Sequence, residues 1–230
     1  MPKNPIAVKT IVTTDLVKPI AEEYGVEIID VLTGFKFIGE QIGMLEAKGE
    51  ESRYILGFEE SYGYLAGSYV RDKDAVVASM LIVEMAAYYR TQGITMLEAR
   101  ENLYKKYGVF KHQLESFQFE GAAGMHKMAE LMANLRANVP TEIAGLRVTE
   151  FADYMKGTAV DLANGTERDL NLPKSDVITF FLPDHASVVV RPSGTEPKIK
   201  VYYTTTGKTM EDALALSEQM KASMHKLIAQ

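Results

Sequence analysis

The pattern of apolar and polar positions changes about halfway along the chain. In the first half, short β-branched apolar runs alternate with segments whose apolar residues recur every three or four positions and end at glycine. The predicted order is strand 7–14, helix 15–25, strand 26–32, helix 35–49, strand 53–58, glycine-rich loop 59–74, helix 75–90 and helix 95–108. Because the helix over 75–90 is largely apolar, we expect most of its surface to be buried.

The second half has a different rhythm, with strands that follow one another through short turns. The pattern predicts strand 109–121, helix 124–140, strand 146–155, an irregular loop over 156–174, two or three strands within 176–207, and a closing helix with Thr209 and Asp212 in capping positions. The fold class is therefore α/β: an open, mostly parallel α/β sheet domain over 1–111, then a smaller α+β domain over 112–230.

Composition narrows the class of protein. A chain of 230 residues with 47% hydrophobic residues can bury a proper core. The net charge of −6, without a basic region, argues against a nucleic-acid partner. The absence of cysteine excludes disulfides and thiolate sites and fits a reducing compartment. The start of the chain has no apolar signal core, and the longest apolar run, interrupted by Glu84, is too short for a membrane span, so we expect a soluble cytoplasmic protein without a membrane partner.

The stretch "RPSGTEPK" (191–198) can bind an anion. Arg191 offers a planar fork of donors, and Ser193 and Thr195 add hydroxyls. Gly194 permits a positive φ that would turn backbone N–H groups inward as an anion nest, and Lys200 on the next strand can lean toward the same anion. The alternative is a plain hairpin turn with Arg191 in solvent, and the spacing alone does not choose between the two.

The stretch "GFEESYGYLAGS" follows the predicted third strand, at the edge where ligands enter open α/β sheets. Glu59 can accept hydrogen bonds from two adjacent hydroxyls, and Ser61 can donate or accept beside it. This chemistry suits a sugar. The alternative is a surface loop with solvated acids.

Two lysines are further candidates at the same edge. Lys36, in "TGFK" (33–36), is either a ligand contact or an exposed first-turn residue of a helix. Lys73 lies between Asp72 and Asp74 before an apolar helix. The two acids ordinarily serve the helix dipole and the cap, but a lysine held by them could also act in proton transfer.

Other chemistry has little support in the sequence. The four histidines never occur at metal-ligand spacing, and Asp72 with Asp74 supplies too few oxygens for magnesium. The segment "GAAGMHK" opens a helix and could bind an anion at its N-terminus, but close packing explains its glycines equally well.

Three loops in this order, "TGFK", "GFEESYG" with "VRDKDA", and "RPSGTEPK", resemble the phosphohexomutase superfamily, most closely its phosphoglucomutase and phosphopentomutase type. The resemblance runs from about Val8 to the last helix and covers the third and fourth domains. It implies that Lys73 lies near the reacting groups. It implies substrate-binding roles for Gly34, Lys36, Glu59, Ser61, Arg191, Ser193, Gly194, Thr195 and Lys200. The family often has arginine at the position of Lys200, which weakens the bidentate geometry there.

The resemblance further implies a TATA-box-binding-protein-like fold for the second domain and the interconversion of glucose 1-phosphate and glucose 6-phosphate. That reaction uses a phosphoserine and a bisphosphate intermediate, with Mg²⁺ in the full-length enzyme. The "TASHNP"-like serine loop and the "DxDxDR" magnesium loop of the family do not occur in this sequence. We therefore expect a C-terminal half that depends on missing N-terminal domains, binds no metal itself and is inactive alone.

Three other interpretations stay open. The chain could be a stand-alone sugar-phosphate-binding or regulatory module, or half of a phosphopentomutase or phosphomannomutase. It could also be a two-domain structural protein without a ligand.

Overall fold

The structure, a computed structural model, describes residues 1–121, 123–194 and 196–228. Its internal contacts divide the chain into two compact units, Met1–Gly108 and Val109–Gln230. We call them unit 1 and unit 2. Each unit has its own sheet and its own hydrophobic core.

Unit 1 is an open α/β layer, as the alternating pattern predicts. Its elements are β1 (Ile6–Thr10), α1 (Val17–Tyr24), β2 (Glu27–Val31), α2 (Phe35–Glu46), β3 (Tyr54–Phe58), β4 (Tyr64–Ala66), α3 (Ala75–Thr91) and α4 (Met96–Tyr107). The sheet order is β2-β1-β3-β4, with β1, β2 and β3 parallel and β4 antiparallel. Thr95 and Glu98 form the capping box that starts α4.

Two expectations for unit 1 are wrong. The predicted loop 59–74 contains β4, a strand of three residues that is too short to show a period in the sequence. The second error concerns α3, since none of its residues is buried. Its apolar composition is real, but the elements that the structure describes do not cover it.

The core of unit 1 lies on one face of the sheet. Val8 and Leu65 from the strands pack there with Ile38 and Ile42 of α2, and all four are fully buried. The two successive crossovers run in opposite directions along the sheet, so the right-handed rule puts α1 on the other face. Only Ala21 of α1 is buried, so that face is thinly covered.

A buried ion cluster joins β1, β2 and the start of α1. Lys9, whose side chain is 1% exposed, places Nζ 2.9 Å from Asp15 Oδ1 and 2.7 Å from Asp30 Oδ1. Lys18 Nζ lies 3.0 Å from the same Asp15 oxygen and 3.3 Å from Asp30 Oδ2. Burial raises the pKa of the Asp15 carboxyl, but the two lysines outweigh burial and lower the pKa overall. The two aspartates thus depend on their lysines for charge balance.

Unit 2 is built on an antiparallel sheet. Its elements are β5 (Val109–Gln118), α5 (Gly124–Ala137), β6 (Glu142–Ile143), β7 (Leu146–Arg147), β8 (Glu150–Asp153), β9 (Thr158–Asp161), β10 (Glu167–Asp169), β11 (Ile178–Phe181), β12 (Ser187–Pro192), β13 (Lys198–Gly207) and α6 (Met210–Ile228). The main sheet has the order β10-β9-β8-β11-β12-β13-β5. Both α5 and α6 contribute to one core, for example through Met132 and Met220. The TATA-box-binding-protein-like fold stays a prediction.

The predicted irregular loop over 156–174 is wrong in part, because β9 and β10 pair there as an antiparallel hairpin. The signal for it was Asn164-Gly165, a dipeptide that favours tight hairpin turns. Gly165 has φ 74°, and Asp161 Oδ1 accepts a hydrogen bond of 2.7 Å from the N–H of Ala163. The predicted strand 146–155 divides into β7 and β8.

Candidate functional site

The loop after β2 brings the "TGFK" residues to the carboxyl edge of the parallel strands. Gly34 precedes α2 with φ 123°, a conformation that L side chains rarely adopt. Phe35 starts the helix and is buried. Lys36 lies in the first turn, exposed, with its Nζ 4.8 Å from the centre of the Phe37 ring. The structure thus shows the exposed first-turn lysine, and a ligand contact by Lys36 stays a prediction.

The loop after β3 folds around Gly63. The N–H of Glu59 donates to the carbonyl of Gly63 at 3.0 Å. A Cβ at Gly63 would lie 2.5 Å from Glu59 Oε1 and 2.7 Å from Lys73 Cδ, so a larger residue at position 63 would displace these two side chains from their present positions. Lys73 Nζ also lies 5.1 Å from the centre of the Phe35 ring. The structure therefore gathers Glu59, Lys73 and the "TGFK" loop at one edge of the sheet.

The surroundings of Glu59 favour hydrogen bonding. Burial raises the pKa of the Glu59 carboxyl, and the positive charge of Lys73 and a hydrogen bond from Ser61 offset this only partly. Ser61 itself is exposed. A half-buried carboxylate with a hydroxyl and an ammonium beside it can accept hydrogen bonds from neighbouring hydroxyls of a ligand.

The two acids that flank Lys73 have separate partners. Asp74 caps α3, because its Oδ1 accepts from the N–H groups of Val76 at 2.8 Å and Val77 at 3.0 Å. Asp72 pairs with Lys73, with 2.7 Å between Nζ and Oδ1. The capping interpretation is confirmed for Asp74, and proton transfer by Lys73 stays a prediction.

The anchor of this loop is a residue that no sequence motif indicates. Thr10, at the end of β1 and fully buried, donates through Oγ1 to Glu60 Oε2 at 3.2 Å. Its hydroxyl also lies 2.7 Å from that of Thr13. No local pattern marks a strand threonine for this contact, since Glu60 is far away in sequence.

The "RPSGTEPK" loop joins β12 to β13 in an antiparallel hairpin. Arg191 stands directly across from Lys200 in the register. Residues directly across from each other share a face of the sheet, and alternation puts both on the face opposite the buried Val190 and Val201. Two cations thus lie side by side where the loop begins.

Within the loop, hydrogen bonds form a tight turn. The N–H of Ser193 donates to the carbonyl of Lys198 at 2.8 Å, and Ser193 Oγ accepts from the N–H of Glu196 at 3.3 Å. Lys198 pairs with Glu196 and lowers the pKa of its carboxyl. The expected positive φ at Gly194 is wrong: its backbone lies outside the left-handed region, and open space surrounds the position of a Cβ. Thr195 lies outside the described residues.

Beside this loop is a cavity of about 460 Å³. Arg191, Ser193 and Gly194 line it from the loop, while Met125 from α5 and Asp176 line it from other segments. The cavity is large enough for a ligand, and its lining residues include one cation, two serines and one carboxylate.

The two glycines of "GAAGMHK" have different reasons: Gly121 has φ 79° with open space around a Cβ position, whereas Gly124 is closely packed. A Cβ at Gly124 would lie 2.4 Å from the carbonyl oxygen of Phe119 and 3.0 Å from Cβ of Pro197. The start of α5 therefore packs directly against the "RPSGTEPK" loop.

Asp176 is held by a residue that sequence analysis did not single out. Arg136 of α5 donates through Nη2 to Asp176 Oδ1 and through Nε to Asp153 Oδ1, the latter at 3.2 Å. Asp153 is almost fully buried, so its charge depends on Arg136. Asp176, which lines the cavity, thus shares the charge of Arg136 with a buried second carboxylate.

Both parts of the chain match the models of one protein family. Residues 1–107 match the model of "Phosphoglucomutase/phosphomannomutase, alpha/beta/alpha domain III", and residues 135–218 match that of the C-terminal domain of the same family. The chain belongs to the phosphoglucomutase/phosphomannomutase family. The resemblance noted in the sequence is thereby confirmed.

Curated relatives in this family are longer than the chain. A phosphoglucomutase of Staphylococcus epidermidis is 39% identical over 199 residues, which cover 86% of this chain and 36% of the relative. A phosphoglucomutase of Staphylococcus aureus is 38% identical over 210 residues, which cover 91% of this chain and 37% of the relative. The chain thus spans well under half the length of the phosphoglucomutases that it matches.

Solved structures share the fold. Parafusin, a phosphoglucomutase from Paramecium in its open form, superposes with a TM-score of 0.68 at 21% identity and covers 97% of this chain and 38% of its own. A phosphomannomutase-like protein from Thermus thermophilus gives 0.58 at 19% identity, with 99% of this chain and 37% of its own. At this identity the likeness concerns the fold alone.

The magnesium chemistry of the family does not fit the residues described. Over residues 1–121, 123–194 and 196–228, no three His, Asp or Glu side chains come together in a way that could hold a metal ion. Asp72 and Asp74 are engaged by Lys73 and by the start of α3.

Over the described residues 1–121, 123–194 and 196–228, no helix is both long and apolar enough to span a membrane.

Proposed function

We propose that this chain is the sugar-phosphate-binding half of a phosphoglucomutase-like enzyme that interconverts glucose 1-phosphate and glucose 6-phosphate. The observation that carries the proposal is the gathering of Glu59 and Lys73 around Gly63 at the carboxyl edge of the unit 1 sheet. Membership in the phosphoglucomutase/phosphomannomutase family supports it.

Each unit has a separate role in the proposal. In unit 1, Glu59 accepts hydrogen bonds from sugar hydroxyls, Ser61 supports it, and the backbone at Gly34 leaves room for the ring. In unit 2, Arg191 and Ser193 bind the phosphate that does not react. The cross-strand position of Lys200 supports a second positive charge there.

The remaining site residues are two lysines of unit 1 and two residues of the "RPSGTEPK" loop. Lys36 is exposed, and Lys73 pairs with Asp72, so we assign both to the approach of the ligand, and Lys73 also to proton transfer. Thr195 and Gly194 complete the clamp by the family pattern.

The phosphoryl transfer itself belongs to residues outside this chain. Phosphoryl transfer depends on positioning and on metal-assisted charge stabilisation. In the proposal, the part of the phosphoglucomutase polypeptide that this chain does not match supplies the phosphoserine and the Mg²⁺ ligands. We therefore expect no turnover from the 230-residue chain alone, measured in a coupled assay for glucose 6-phosphate. Turnover that survives repurification and follows the chain would contradict this division of labour.

Binding tests the proposal directly. Glucose 1-phosphate is titrated into the chain and followed by NMR shifts, which detect weak binding. We expect shifts in both loops, and a loss of about tenfold or more in affinity for Arg191→Ala and for Glu59→Gln, because each removes hydrogen bonds that involve a charged group.

Arg168→Ala is the matched control, because Arg168 is an exposed arginine of β10 that pairs with Glu150 in the same unit. It should bind like the unchanged chain. If Arg191→Ala binds as well as this control does, the phosphate clamp is wrong. If neither the unchanged chain nor any variant binds glucose 1-phosphate, the chain is better explained as a structural protein without a ligand.

A mannose phosphate is the second candidate ligand, because the matching family models cover phosphomannomutases as well. Titration with mannose 1-phosphate under the same conditions separates the two. A clear preference for mannose 1-phosphate would favour a phosphomannomutase over a phosphoglucomutase. A pentose phosphate is the third ligand to compare.

A further inference from the structure

Glu59, which the proposed function assigns to the sugar hydroxyls, is followed by an acid with a different partner. Glu60 accepts a hydrogen bond of 3.2 Å through Oε2 from the hydroxyl of Thr10, at the end of β1. Thr10 is fully buried, and Glu60 is half-buried. The carboxylate of Glu60 is therefore attached to the sheet, whereas the carboxylate of Glu59 lies beside Lys73 and Ser61.

The hydroxyl groups at the end of β1 form a chain of hydrogen bonds with a fixed direction. Thr10 Oγ1 lies 2.7 Å from Thr13 Oγ1. An ionised carboxylate only accepts, and a hydroxyl has one hydrogen to donate. Thr10 therefore donates to Glu60 and accepts from Thr13. Loss of the Thr10 hydroxyl would break both of these hydrogen bonds at once.

Lys9 holds the turn that carries the two threonines. Its Nζ donates to the carbonyl of Thr13 at 3.1 Å and to that of Thr10 at 3.3 Å. The N–H of Thr13 donates to the carbonyl of Thr10 at 3.0 Å and closes the turn. The same ammonium belongs to the buried ion cluster. The ion cluster thus fixes the turn from which Thr10 contacts Glu60.

A main-chain hydrogen bond holds the same loop at a second point. The N–H of Glu59 donates to the carbonyl of Gly63 at 3.0 Å. Glu59 is thus fixed through its own backbone, and its neighbour Glu60 is fixed through its side chain by Thr10. Two attachments at consecutive residues limit the directions in which the Glu59 carboxylate can point.

We infer that Thr10 is a positioning residue of the sugar site, because it sets the direction of the Glu59 carboxylate and thereby determines which sugar epimer fits. This role rests on the proposed function. A carboxylate that accepts from two adjacent hydroxyls needs both of them in place. When the carboxylate is held in one direction, an epimer with one of these hydroxyls turned to the other face of the ring loses a hydrogen bond. A loosely held carboxylate follows the epimer and discriminates less.

Thr10→Val tests this role, because valine keeps the shape of threonine and removes the hydroxyl. The 230-residue chain and the variant are titrated with the 1-phosphates of glucose, mannose and galactose and followed by NMR shifts. Mannose and galactose differ from glucose at carbon 2 and at carbon 4, so any adjacent pair among the hydroxyls of carbons 2, 3 and 4 is changed in one of them. We expect the unchanged chain to distinguish glucose from at least one epimer, and this preference to fall about three- to tenfold in Thr10→Val, the range of one hydrogen bond.

Two further variants separate positioning from a general loss of stability. Thr10→Ser keeps the hydroxyl and should keep the epimer preference. Thr205→Val is the matched control, because Thr205 is also fully buried and donates to the carbonyl of Ala213 at 2.8 Å in unit 2. This control loses a buried hydrogen bond without a link to the loop and should bind like the unchanged chain. Inorganic phosphate, which the proposed clamp of unit 2 binds without the sugar, should bind equally to all of these proteins.

Amide hydrogen exchange of Glu59 measures the attachment without any ligand. Because this N–H donates to Gly63, a loop that is freed from Thr10 should exchange about three- to tenfold faster at Glu59 in Thr10→Val, and not in Thr205→Val. If Thr10→Val does not fold, Glu60→Gln takes its place, because a neutral amide accepts more weakly than a carboxylate. Its effect should be smaller and in the same direction, and the ratio between epimers cancels the change in net charge.

An unchanged epimer preference in Thr10→Val, or unchanged exchange at Glu59, would overturn the inference. An equal loss of preference in Thr10→Ser or in Thr205→Val would overturn it as well, since neither variant removes the hydroxyl that contacts Glu60. If the unchanged chain binds none of the sugar phosphates, the proposed function fails. The exchange of Glu59 then still decides whether Thr10 holds the loop, so the two failures are distinguishable.

Discussion

Unit 2 buries residues from both of its helices against one face of its sheet, whereas unit 1 buries α2 deeply and leaves α3 without a buried residue. The two units are similar in length, so size does not explain the contrast. The difference shows that the core of unit 2 is closed by its own elements. Unit 1 relies on a one-sided core and on the ion cluster around Lys9, and we expect it to be the less stable of the two.

The largest effect that would sharpen this contrast is expected at Lys9. Lys9→Met leaves Asp15 and Asp30 with Lys18 alone, and removal of one partner from a buried ion cluster costs about 3–5 kcal/mol. Urea unfolding followed by hydrogen exchange of each unit should show unit 1 opening while unit 2 stays protected. Lys48→Met, at an exposed lysine of the same unit, serves as the control. Equal loss in both units would mean that they do not fold separately.

A smaller effect compares two isoleucines of unit 1. Ile38 of α2 is fully buried, so Ile38→Ala should cost about 2–5 kcal/mol through lost burial and a cavity. Ile82 of α3 is 48% exposed, and Ile82→Ala in the 230-residue chain should stay within about 0.5 kcal/mol. Urea midpoints of the two variants give the comparison. Similar losses for both would show that α3 already packs in the core of unit 1.

The smallest effect concerns the cavity of unit 2. Asp176 adds a negative charge to a wall that it shares with Arg191, and Arg136 divides its charge between two carboxylates. Because Asp176 is partly exposed, Asp176→Asn should tighten glucose 1-phosphate binding by only about two- to threefold. Asp184→Asn, at an exposed site of unit 2, controls for net charge. Weaker binding by Asp176→Asn would mean that the carboxylate accepts a hydrogen bond from the ligand.

The sequence predicts best where an element is long and ends at a clear signal. Helix α2 and the capped helices α4 and α6 are of this kind, and so is the parallel order of β1, β2 and β3. Strands β4 and β10 have three residues each, too few to show alternation, so the sequence predicts a loop at both.

Contacts between distant segments limit what the sequence says about the site. The three loops are visible as motifs, but nothing local tells that Lys73 and Glu59 meet across Gly63. In the sequence, Lys9 is an ordinary strand residue and Arg136 an ordinary residue near the end of a helix. Only the fold brings each of them close to two aspartates. The apolar composition of α3 predicts that the helix is buried. Composition does not indicate which segment would bury it, and no residue of α3 is buried in the structure.

The hydroxyl of Thr10 has a consequence for the thermodynamics of recognition. It ties Glu60, and with it the loop of Glu59, to the end of a central strand. The loop then gives up its conformational entropy when unit 1 folds and not when a ligand arrives. Because less entropy is lost on binding, more of the hydrogen-bond energy contributes to affinity. Thr10 would thus influence how tightly a ligand binds without touching the ligand.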